Sequence, residues 1–370
     1  MADEHARVVV LGGGVAGLTS AWFAASLSDL EVVVVEREPR HDAHSSGRSA
    51  EIQRIAIPDP VARELAIATD SIYADPGASG LPADPALVDR VGLVVGHPAA
   101  EPEWRRDLEG RVEMRPLGAN EARRRAPHTQ LEAAHATWFP TAGHVNAPRL
   151  LATLARSCTA RGVRFVRSSG EARVEVEDGH VRGVAPGRGE SIPAARVINA
   201  AGAWARKVGA AAGAPLSLRP TRRHMLAFAR DARAATPPVV WDDSAGLYVR
   251  ARGDRWLVSP CDVEDAVPSG DVGYAMDPGI VERTRDRLTS FAPALAEARL
   301  VDAWVGYRDL TPDDRPVLGR DPRVTGLWWC ASFGGHGMTL GLAAGRSAAR
   351  AALGLDDPWA ARCDPMRLSD

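Results

Sequence analysis

The chain has 370 residues, of which 45% are hydrophobic and 25% are charged, and its formal net charge is −2. This composition is ordinary for a globular protein, and the length favours two domains, or one domain with a large insertion, over a single small core. The nearly balanced charge excludes the global basic field of a typical nucleic-acid-binding protein, so no nucleic-acid partner is expected.

The first predicted elements form a β-strand, a helix and a second β-strand. The apolar run Val8–Leu11 predicts a buried strand, and a helix is expected over about Val15–Leu27. The run Val32–Val35 predicts the second strand. A short glycine-rich turn separates the first strand from the helix, which is typical of a nucleotide-binding βαβ unit.

The glycines of that turn follow the G-x-G-x-x-G spacing of a dinucleotide site, at Gly12, Gly14 and Gly17. Gly12 suits a tight turn, Gly14 lets the backbone approach a pyrophosphate, and Gly17 lets the helix pack closely on the strand. Glu36 ends the second strand, where its carboxylate can accept a hydrogen bond from a ribose 2′-hydroxyl. Since Glu36 would repel a 2′-phosphate, FAD or NAD fits better than NADP.

Helical and extended patterns alternate as far as residue 215. Small residues at the end of the last strand predict close approach of the backbone to a ligand. In chain order we expect an irregular polar segment over 36–60, a helix from Pro60 to about Tyr73, a strand at Val91–Val95, a helix at Leu117–Arg125, an extended segment at Ala136–Phe139, a helix from Asn146 to about Arg161, strands near Val163–Val166, Ala172–Val176 and Val181–Ala185, and a strand over Arg196–Trp204.

The remainder is mostly strands and then returns to an α/β pattern. The expected elements are strands at Met225–Phe228, Leu247–Val249 and Trp256–Ser259, a helix over about Pro278–Phe291, a strand at Leu327–Ala331, a glycine turn, and a helix from Thr339 to Leu353. The sequence therefore predicts an α/β fold with an α+β insert. A Rossmann-type nucleotide domain is made of residues 1–80, 145–215 and 305–370, and a mostly antiparallel β domain for the substrate is made of residues 81–144 and 216–304.

Only one dinucleotide fingerprint is present, which favours a flavoprotein with one bound FAD. Six stretches occur in the order found in one known family: Gly12–Gly17 with Glu36 and Arg37, Ser45–Ala50, Gly143–Asn146, Ile198–Trp204, Gly306–Arg308 with Thr311–Gly319, and Gly334–Thr339. Through them the chain resembles the D-amino-acid oxidase family of FAD enzymes, which includes glycine oxidase, sarcosine oxidase and D-amino-acid dehydrogenases. The resemblance implies a glutathione-reductase-like FAD fold.

The resemblance also implies which residues hold the cofactor. It assigns FAD binding to Gly12, Gly14, Val15, Ala16, Gly17, Glu36 and Arg37 in the fingerprint, to Ser46, Gly47, Arg48 and Ser49 beneath the flavin and its diphosphate, to Ala172 at the adenine, to Ala201, Gly202 and Trp204 along the ribityl-diphosphate arm, and to Gly334, Gly335, His336, Gly337, Met338 and Thr339 at the flavin pyrimidine edge. The segment 305–310 contains no cysteine, unlike the sarcosine oxidase branch, so non-covalent FAD is expected.

By the same resemblance, Arg308 pairs with the substrate carboxylate and Tyr248 closes the pocket beside it, and Gly335 is also expected at the substrate. A guanidinium fork suits a carboxylate. Arg223 matches a pocket arginine of the D-arginine dehydrogenase-like branch. If Arg54 converges with Arg223 and Arg308, the pocket holds more positive charge than one carboxylate needs, which favours a substrate with a second carboxylate. The alternative for Arg54 is a solvated surface position.

The predicted reaction is oxidation of the carbon–nitrogen bond of an amino acid or N-substituted glycine. Hydride passes from the α-carbon to flavin N5, the imine hydrolyses, and the electrons pass to O₂ or another acceptor. Three alternatives stay open: a flavin-dependent 2-hydroxy acid dehydrogenase, an FAD electron-relay subunit of a complex, and an NAD enzyme. Substrate identity, stereochemistry and oligomeric state are not determined by the sequence.

Other features indicate neither a metal site nor a membrane span. The spacing of His41 and His44 resembles a metal pair, but no further ligands accompany it, so a solvated loop is the expected interpretation. The four cysteines are far apart, which favours reduced thiols and a cytoplasmic location. No apolar run reaches the ~18 residues of a membrane-spanning helix.

Overall fold

A computed structural model describes residues 7–84, 86–98, 101–131, 135–268 and 275–369. The helices in these residues are α1 (Val15–Leu27), α2 (Pro60–Ala74), α3 (Glu103–Leu108), α4 (Ala119–Arg125), α5 (Ala147–Ala160), α6 (Ala205–Ala211), α7 (Ile280–Phe291), α8 (Pro293–Ala296) and α9 (Gly337–Ala352). None of them is long and apolar enough to cross a membrane.

The strands in the same residues are β1 (Arg7–Leu11), β2 (Glu31–Val35), β3 (Ile52–Gln53), β4 (Val88–Asp89), β5 (Leu93–His97), β6 (Arg115–Leu117), β7 (His135–Phe139), β8 (Gly143–Val145), β9 (Arg164–Val166), β10 (Arg173–Glu177), β11 (His180–Ala185), β12 (Ile192–Pro193), β13 (Arg196–Asn199), β14 (Arg219–Ala229), β15 (Val239–Asp242), β16 (Leu247–Arg252), β17 (Arg255–Ser259), β18 (Glu264–Asp265), β19 (Leu300–Leu310), β20 (Val317–Arg320) and β21 (Leu327–Ala331).

A six-stranded sheet in the order β20-β21-β13-β1-β2-β9 carries the glycine turn. All of its pairs are parallel except β20–β21. Val8, Val9 and Val10 of the central strand are fully buried because helices α1, α5 and α9 pack on one face of the sheet, and α6 and the β10–β12 sheet pack on the other. This arrangement confirms the Rossmann-type prediction, and it brings the carboxyl ends of the parallel strands to one edge, where ligands bind in such folds.

The second large sheet has nine strands. Their order is β18-β14-β17-β16-β15-β5-β7-β6, and β19 also pairs with β14. The sheet is antiparallel apart from β5–β15, which confirms the expectation of a mostly antiparallel sheet. The long pair β14–β19 runs in register from Arg219 opposite Leu310 to Met225 opposite Trp304. The predicted domain boundary at residue 305 falls inside β19, and the division into two domains stays a proposal.

One predicted strand is shorter in the structure, and several strands of the structure were not predicted. The strand expected over Arg196–Trp204 ends at Asn199, and a 3₁₀ turn follows at Gly202–Trp204. The reason is local: the Asn199 side chain donates to the Ala205 carbonyl oxygen and accepts from the Ala201 N–H, so it supplies bonds that compete with the strand. Strand β19 was not predicted as a strand, because a glycine and several charged residues interrupt its apolar alternation.

Candidate functional site

The turn between β1 and α1 brings the fingerprint glycines together at the carboxyl edge of the six-stranded sheet. Gly12 has φ +101°, and a Cβ placed there would overlap the Ala200 carbonyl oxygen. A Cβ on Gly17 would overlap the Gly12 carbonyl oxygen. Gly14 precedes α1 and gives it no side-chain cap. The Val15 N–H at the start of α1 donates to the Ser46 hydroxyl oxygen at 3.0 Å. The following N–H groups of the first turn can meet an anion such as a diphosphate.

A cavity of about 420 Å³ extends from this turn. The predicted cofactor residues that line it are Gly12, Gly14, Glu36, Arg37, Ser46, Ala172, Ala201, Gly202 and Trp204. Glu36 is only 6% exposed, and burial raises its pKa. One Glu36 oxygen accepts from the Gly13 N–H at 2.6 Å and the other from the Glu38 N–H at 2.8 Å. Each oxygen keeps a further lone pair with which it can accept a ribose hydroxyl.

Trp204 forms an aromatic wall of this cavity. The Arg37 guanidinium lies 4.5 Å from the centre of the indole, and the His44 ring lies 4.5 Å away. His44 also contacts Glu38 at 3.0 Å, and His41 Nδ1 lies 3.0 Å from the Gly13 carbonyl oxygen. The interpretation of these two histidines as part of a solvated loop is therefore wrong: both are half-buried and line the cavity.

A second cavity, of about 160 Å³, adjoins the first at Gly14, Ser46 and Gly202. The N-terminus of α9 opens onto it, and His336 precedes that helix without providing a side-chain cap. The predicted site residues that line it are Gly14, Val15, Ala16, Ser46, Arg48, Ser49, Gly202, Arg223, Tyr248, Arg308, Gly335, His336, Gly337 and Met338. A helix N-terminus in this position stabilises negative charge on a ligand.

Two arginines on adjacent strands face the second cavity. Arg223 on β14 lies opposite Gly306 on β19, so it shares a sheet face with Arg308, two residues along β19. Arg308 makes no hydrogen bond or ion pair within the described part of the chain. Burial and the nearby Arg223 lower the Arg308 pKa to about 10, which leaves it charged at pH 7. Gly335 has φ +92°, a conformation that favours glycine, and a Cβ there would lie 2.5 Å from the guanidinium carbon of Arg308.

Aromatic side chains complete the wall of the second cavity. Tyr248 is 1% exposed, and its hydroxyl donates to the Met225 sulfur at 3.0 Å. The Trp241 and Tyr248 rings lie 4.6 Å apart. Burial, together with the charges of the neighbouring arginines, lowers the His336 pKa to about 3. His336 is therefore neutral at pH 7 and adds no charge to the cavity.

Five predicted residues do not line either cavity. Arg54 is 6% exposed and lies over the Trp241 indole at 4.3 Å, and its guanidinium donates to the Asp243 carboxylate at 2.7 Å. It is therefore neither on a solvated face nor free to meet a ligand. The others are Gly17, Gly47, Gly334 and Thr339, which pack behind the lining residues. Their assignments stay predictions.

One cluster in the described residues has the composition of a metal site: His224, Asp262 and Glu264. His224 Nδ1 lies 2.7 Å from an Asp262 oxygen, and Nε2 accepts from the Asp277 N–H at 3.1 Å. Both ring nitrogens are therefore already used, and Glu264 pairs with Arg222. The three side chains therefore lie close together because they bond to one another and to neighbouring protein groups, and these contacts explain the cluster without a metal ion.

Among the residues that line the second cavity, sequence reasoning assigned no role to Glu51, Trp241 and Asp309. Trp241 lies on β15, a strand that directly follows Pro237 and Pro238 and was not predicted. Asp309 follows Arg308 directly, so a search for acidic neighbours of Arg308 would have identified it. No sequence signal marks Glu51, because its partner lies far away in the chain.

Replacing Gly12 with alanine should abolish FAD binding. The new Cβ would have to overlap the Ala200 carbonyl oxygen, in a backbone conformation that only glycine adopts readily. The purified variant should be colourless, and its FAD content can be measured by absorbance after denaturation. Gly213→Ala is the matched control, because Gly213 also has a positive φ but has no atom within 4 Å of an added Cβ. A G12A protein that retains stoichiometric FAD would contradict the assignment.

Comparison with known proteins identifies related sequences along almost the whole chain. The family model described as FAD dependent oxidoreductase (DAO) matches residues 7–351. Mouse mitochondrial sarcosine dehydrogenase is 26% identical over 360 residues, which cover 93% of this chain and 39% of that protein. The chain thus spans about two fifths of the length of this relative. Pseudomonas aeruginosa glycine oxidase is 27% identical, with 90% of this chain and 91% of the relative covered.

Solved structures agree with this relationship. The L-proline dehydrogenase of P. horikoshii superimposes with a TM-score of 0.84 at 22% identity, and 98% of each chain is covered. At that identity the likeness shows the fold alone. The iminodiacetate oxidase of Chelativorans sp. BNC1 superimposes with a TM-score of 0.78 at 26% identity, covering 97% of this chain and 99% of that one.

Proposed function

The chain belongs to the DAO family of FAD-dependent oxidoreductases, and on that premise we propose that it oxidises the carbon–nitrogen bond of an amino acid or an N-substituted glycine. Family membership confirms FAD as the cofactor. Its relatives include a sarcosine dehydrogenase, glycine oxidases and an iminodiacetate oxidase, which all have names that denote small substrates of this class. The geometry of the two adjoining cavities supports the same choice.

The residues present fit FAD. The first turn of α1, beyond the Val15 N–H that Ser46 already accepts, and the Gly12 turn suit the diphosphate. Glu36 has acceptor capacity left for a ribose. Trp204 and Ala172 line the larger cavity, which suits an adenosine. The uncapped N-terminus of α9 faces the second cavity, where it would stabilise negative charge on a reduced flavin.

The observation that carries the proposal is the pair of arginines in the second cavity. Arg308 has no partner in the described residues, and the only hydrogen bond that Arg223 makes there is from Nε to the Asp262 carbonyl oxygen, at 2.9 Å. Two half-buried guanidinium groups without a paired carboxylate are costly unless a ligand neutralises them. A substrate carboxylate meets this need at Arg308, where a two-pronged hydrogen bond also fixes orientation.

We extend the proposal to a substrate with a second carboxylate. One carboxylate pairs with Arg308 and the other with Arg223, which lies on the same sheet face. Arg54 is not required, since Asp243 already neutralises it. N-carboxymethyl amino acids and acidic amino acids both have two carboxylates separated by a short chain, and iminodiacetate is the simplest of the former.

In the proposed reaction the residues of this chain orient rather than react. Arg308 and Arg223 hold the carboxylates, Tyr248 closes the pocket, and the aromatic wall excludes water. The bound FAD supplies the hydride acceptor. A substrate whose amine is neutral can lose hydride without a side-chain base, and the neutral His336 is consistent with that. The imine product then hydrolyses in water. Positioning supplies much of the rate.

The test is anaerobic mixing of the FAD-loaded protein with candidate substrates, observed as loss of the visible flavin absorption. The panel is glycine, sarcosine, L-proline, D-alanine, D- and L-aspartate, and iminodiacetate. Rapid bleaching by a member with two carboxylates supports the full proposal, and bleaching only by monocarboxylates supports amine oxidation but overturns the second carboxylate. Bleaching by a 2-hydroxy acid such as D-lactate, but by no amine, would overturn the proposal itself.

Replacing Arg223 with methionine should separate the two substrate types. The loss of a charged hydrogen bond, about 1.5–3 kcal/mol, should raise KM for the dicarboxylate roughly 10- to 150-fold and leave a monocarboxylate nearly unaffected. Initial rates with both substrates measure the effect. Arg222→Met is the matched control, because Arg222 points away from the cavity and pairs with Glu264 at 2.6 Å. Equal losses for both substrates would show that Arg223 does not recognise the second carboxylate.

A further inference from the structure

Asp309 is a buried acid at the cofactor cavity that the proposed reaction does not use. It is 5% exposed, and it alternates with Arg308 along β19, so it projects from the opposite sheet face. On that face it lies near Ser332, which follows the last residue of β21 at the carboxyl edge of the six-stranded sheet. Both residues line the second cavity.

The hydrogen bonding of Asp309 is incomplete. The Ser332 hydroxyl donates to Oδ2 at 2.9 Å, whereas Oδ1 is buried and has no hydrogen-bond partner among the described residues. A buried oxygen of this kind is costly in either protonation state, since the carboxylate needs a donor and the acid needs an acceptor. Because Asp309 lines the second cavity, a ligand in that cavity can supply the missing partner.

We propose that Asp309 is a positioning residue for FAD, whose protonated carboxyl donates a hydrogen bond to an acceptor atom of the bound cofactor. Burial already disfavours the charged form and raises the Asp309 pKa to about 7, against the opposing effects of Ser332 and of Arg206 on α6. Arg206 is the charged group that faces this carboxyl. The flavin ring system presents several acceptor atoms that such a donor can meet.

The proposal fixes the sign of a pH dependence. Bound FAD removes water from Asp309 and accepts its hydrogen, so it favours the protonated acid and raises the carboxyl pKa. By linkage, FAD then binds more tightly below pH 7 than above it, by tenfold for each unit that the pKa rises. If FAD raises the Asp309 pKa by at least one unit, the dissociation constant of FAD should increase about tenfold or more between pH 6 and pH 9.

The experiment dilutes the FAD-loaded protein at each pH and quantifies released FAD by its fluorescence. In Asp309→Asn the amide is neutral at every pH and still donates a hydrogen bond. The increase of the FAD dissociation constant with pH should therefore disappear, and binding should stay tight at pH 9. In Asp309→Leu binding should be weak at every pH. Ser332→Ala removes a bond that favours the carboxylate, so the transition should move to higher pH. This shift is a result that a merely structural role would not give.

Asp302→Asn is the matched control, since Asp302 lies on the same strand but is exposed and pairs with Arg255 at 3.1 Å. It should behave as the unchanged protein does. If D309N kept the original pH dependence, the proposal would be overturned. The measurement involves no substrate, so its outcome is independent of whether the proposed amine oxidation is correct.

Discussion

Replacing Arg308 with leucine should reduce kcat/KM by roughly 30- to 5,000-fold, which corresponds to about 2–5 kcal/mol for the loss of a charged partner of a buried carboxylate. The substrate would lose both its attraction to the cavity and its orientation over the flavin. FAD content should not change, because the proposal places Arg308 on the substrate side of the cavity. Anaerobic stopped-flow reduction of the flavin measures the effect on the chemical step directly.

The control for this prediction is Arg308→Lys. Lysine keeps the positive charge but loses the planar fork, so it should recover part of the affinity but little of the orientation. KM would then return towards its original value while kcat stays low. If R308L bleached as rapidly as the unchanged protein, an electron-relay role in which this chain binds no substrate would become the better explanation.

How much the sequence predicts depends on how far apart the interacting residues lie in the chain. Gly17 packs against Gly12, and Glu36 accepts from the Gly13 N–H, all within one βαβ unit, so spacing alone was enough to predict the dinucleotide turn. The role of Arg308 came from family resemblance. Its proximity to Arg223 depends on the pairing of β14 with β19, whose strand partners are distant in sequence. No local pattern reports that register.

The arginine pocket illustrates the same limit. The sequence suggested three converging guanidinium groups, and the fold instead pairs Arg54 with Asp243, which is 189 residues away. That ion pair leaves Arg223 and Arg308 as the two arginines that we propose for the substrate. His41 and His44 show the converse: their polar surroundings in sequence predicted a solvated loop, but Trp204 and Phe165, brought in from other elements, bury them. Burial created by tertiary packing cannot be read from local polarity.

A buried ion pair joins the predicted flavin loop to the strand that carries Tyr248. Glu51 is 5% exposed and its carboxylate pairs with the guanidinium of Arg250, which is 1% exposed and lies 199 residues away. Tyr248 and Arg250 are two residues apart on β16 and so share a face. Glu51 also has φ +62°, a left-handed conformation that glycine would adopt with less strain. Glu51 thus has a strained backbone conformation at the position where its carboxylate neutralises the buried Arg250.

Replacing Glu51 with glutamine should lower the free energy of unfolding by about 3–5 kcal/mol, because Arg250 would remain buried without a compensating charge. Chemical denaturation of the FAD-loaded protein measures the loss. The double variant Glu51→Gly with Arg250→Leu should be closer to the unchanged protein than E51Q is. It leaves no buried charge, and it relieves strain of roughly 1 kcal/mol at the positive φ.

Arg252→Leu is the matched control for this pair. Arg252 lies 3.7 Å from the other Glu51 oxygen, but its side chain is 46% exposed, so its loss should cost less than about 1 kcal/mol. If E51Q lowers the free energy of unfolding by no more than R252L does, water must reach Arg250 and compensate its charge. The ion pair would then not stabilise the loop. A large loss in E51Q that the double variant reverses would establish that charge compensation, rather than packing, ties the flavin loop to the substrate strand.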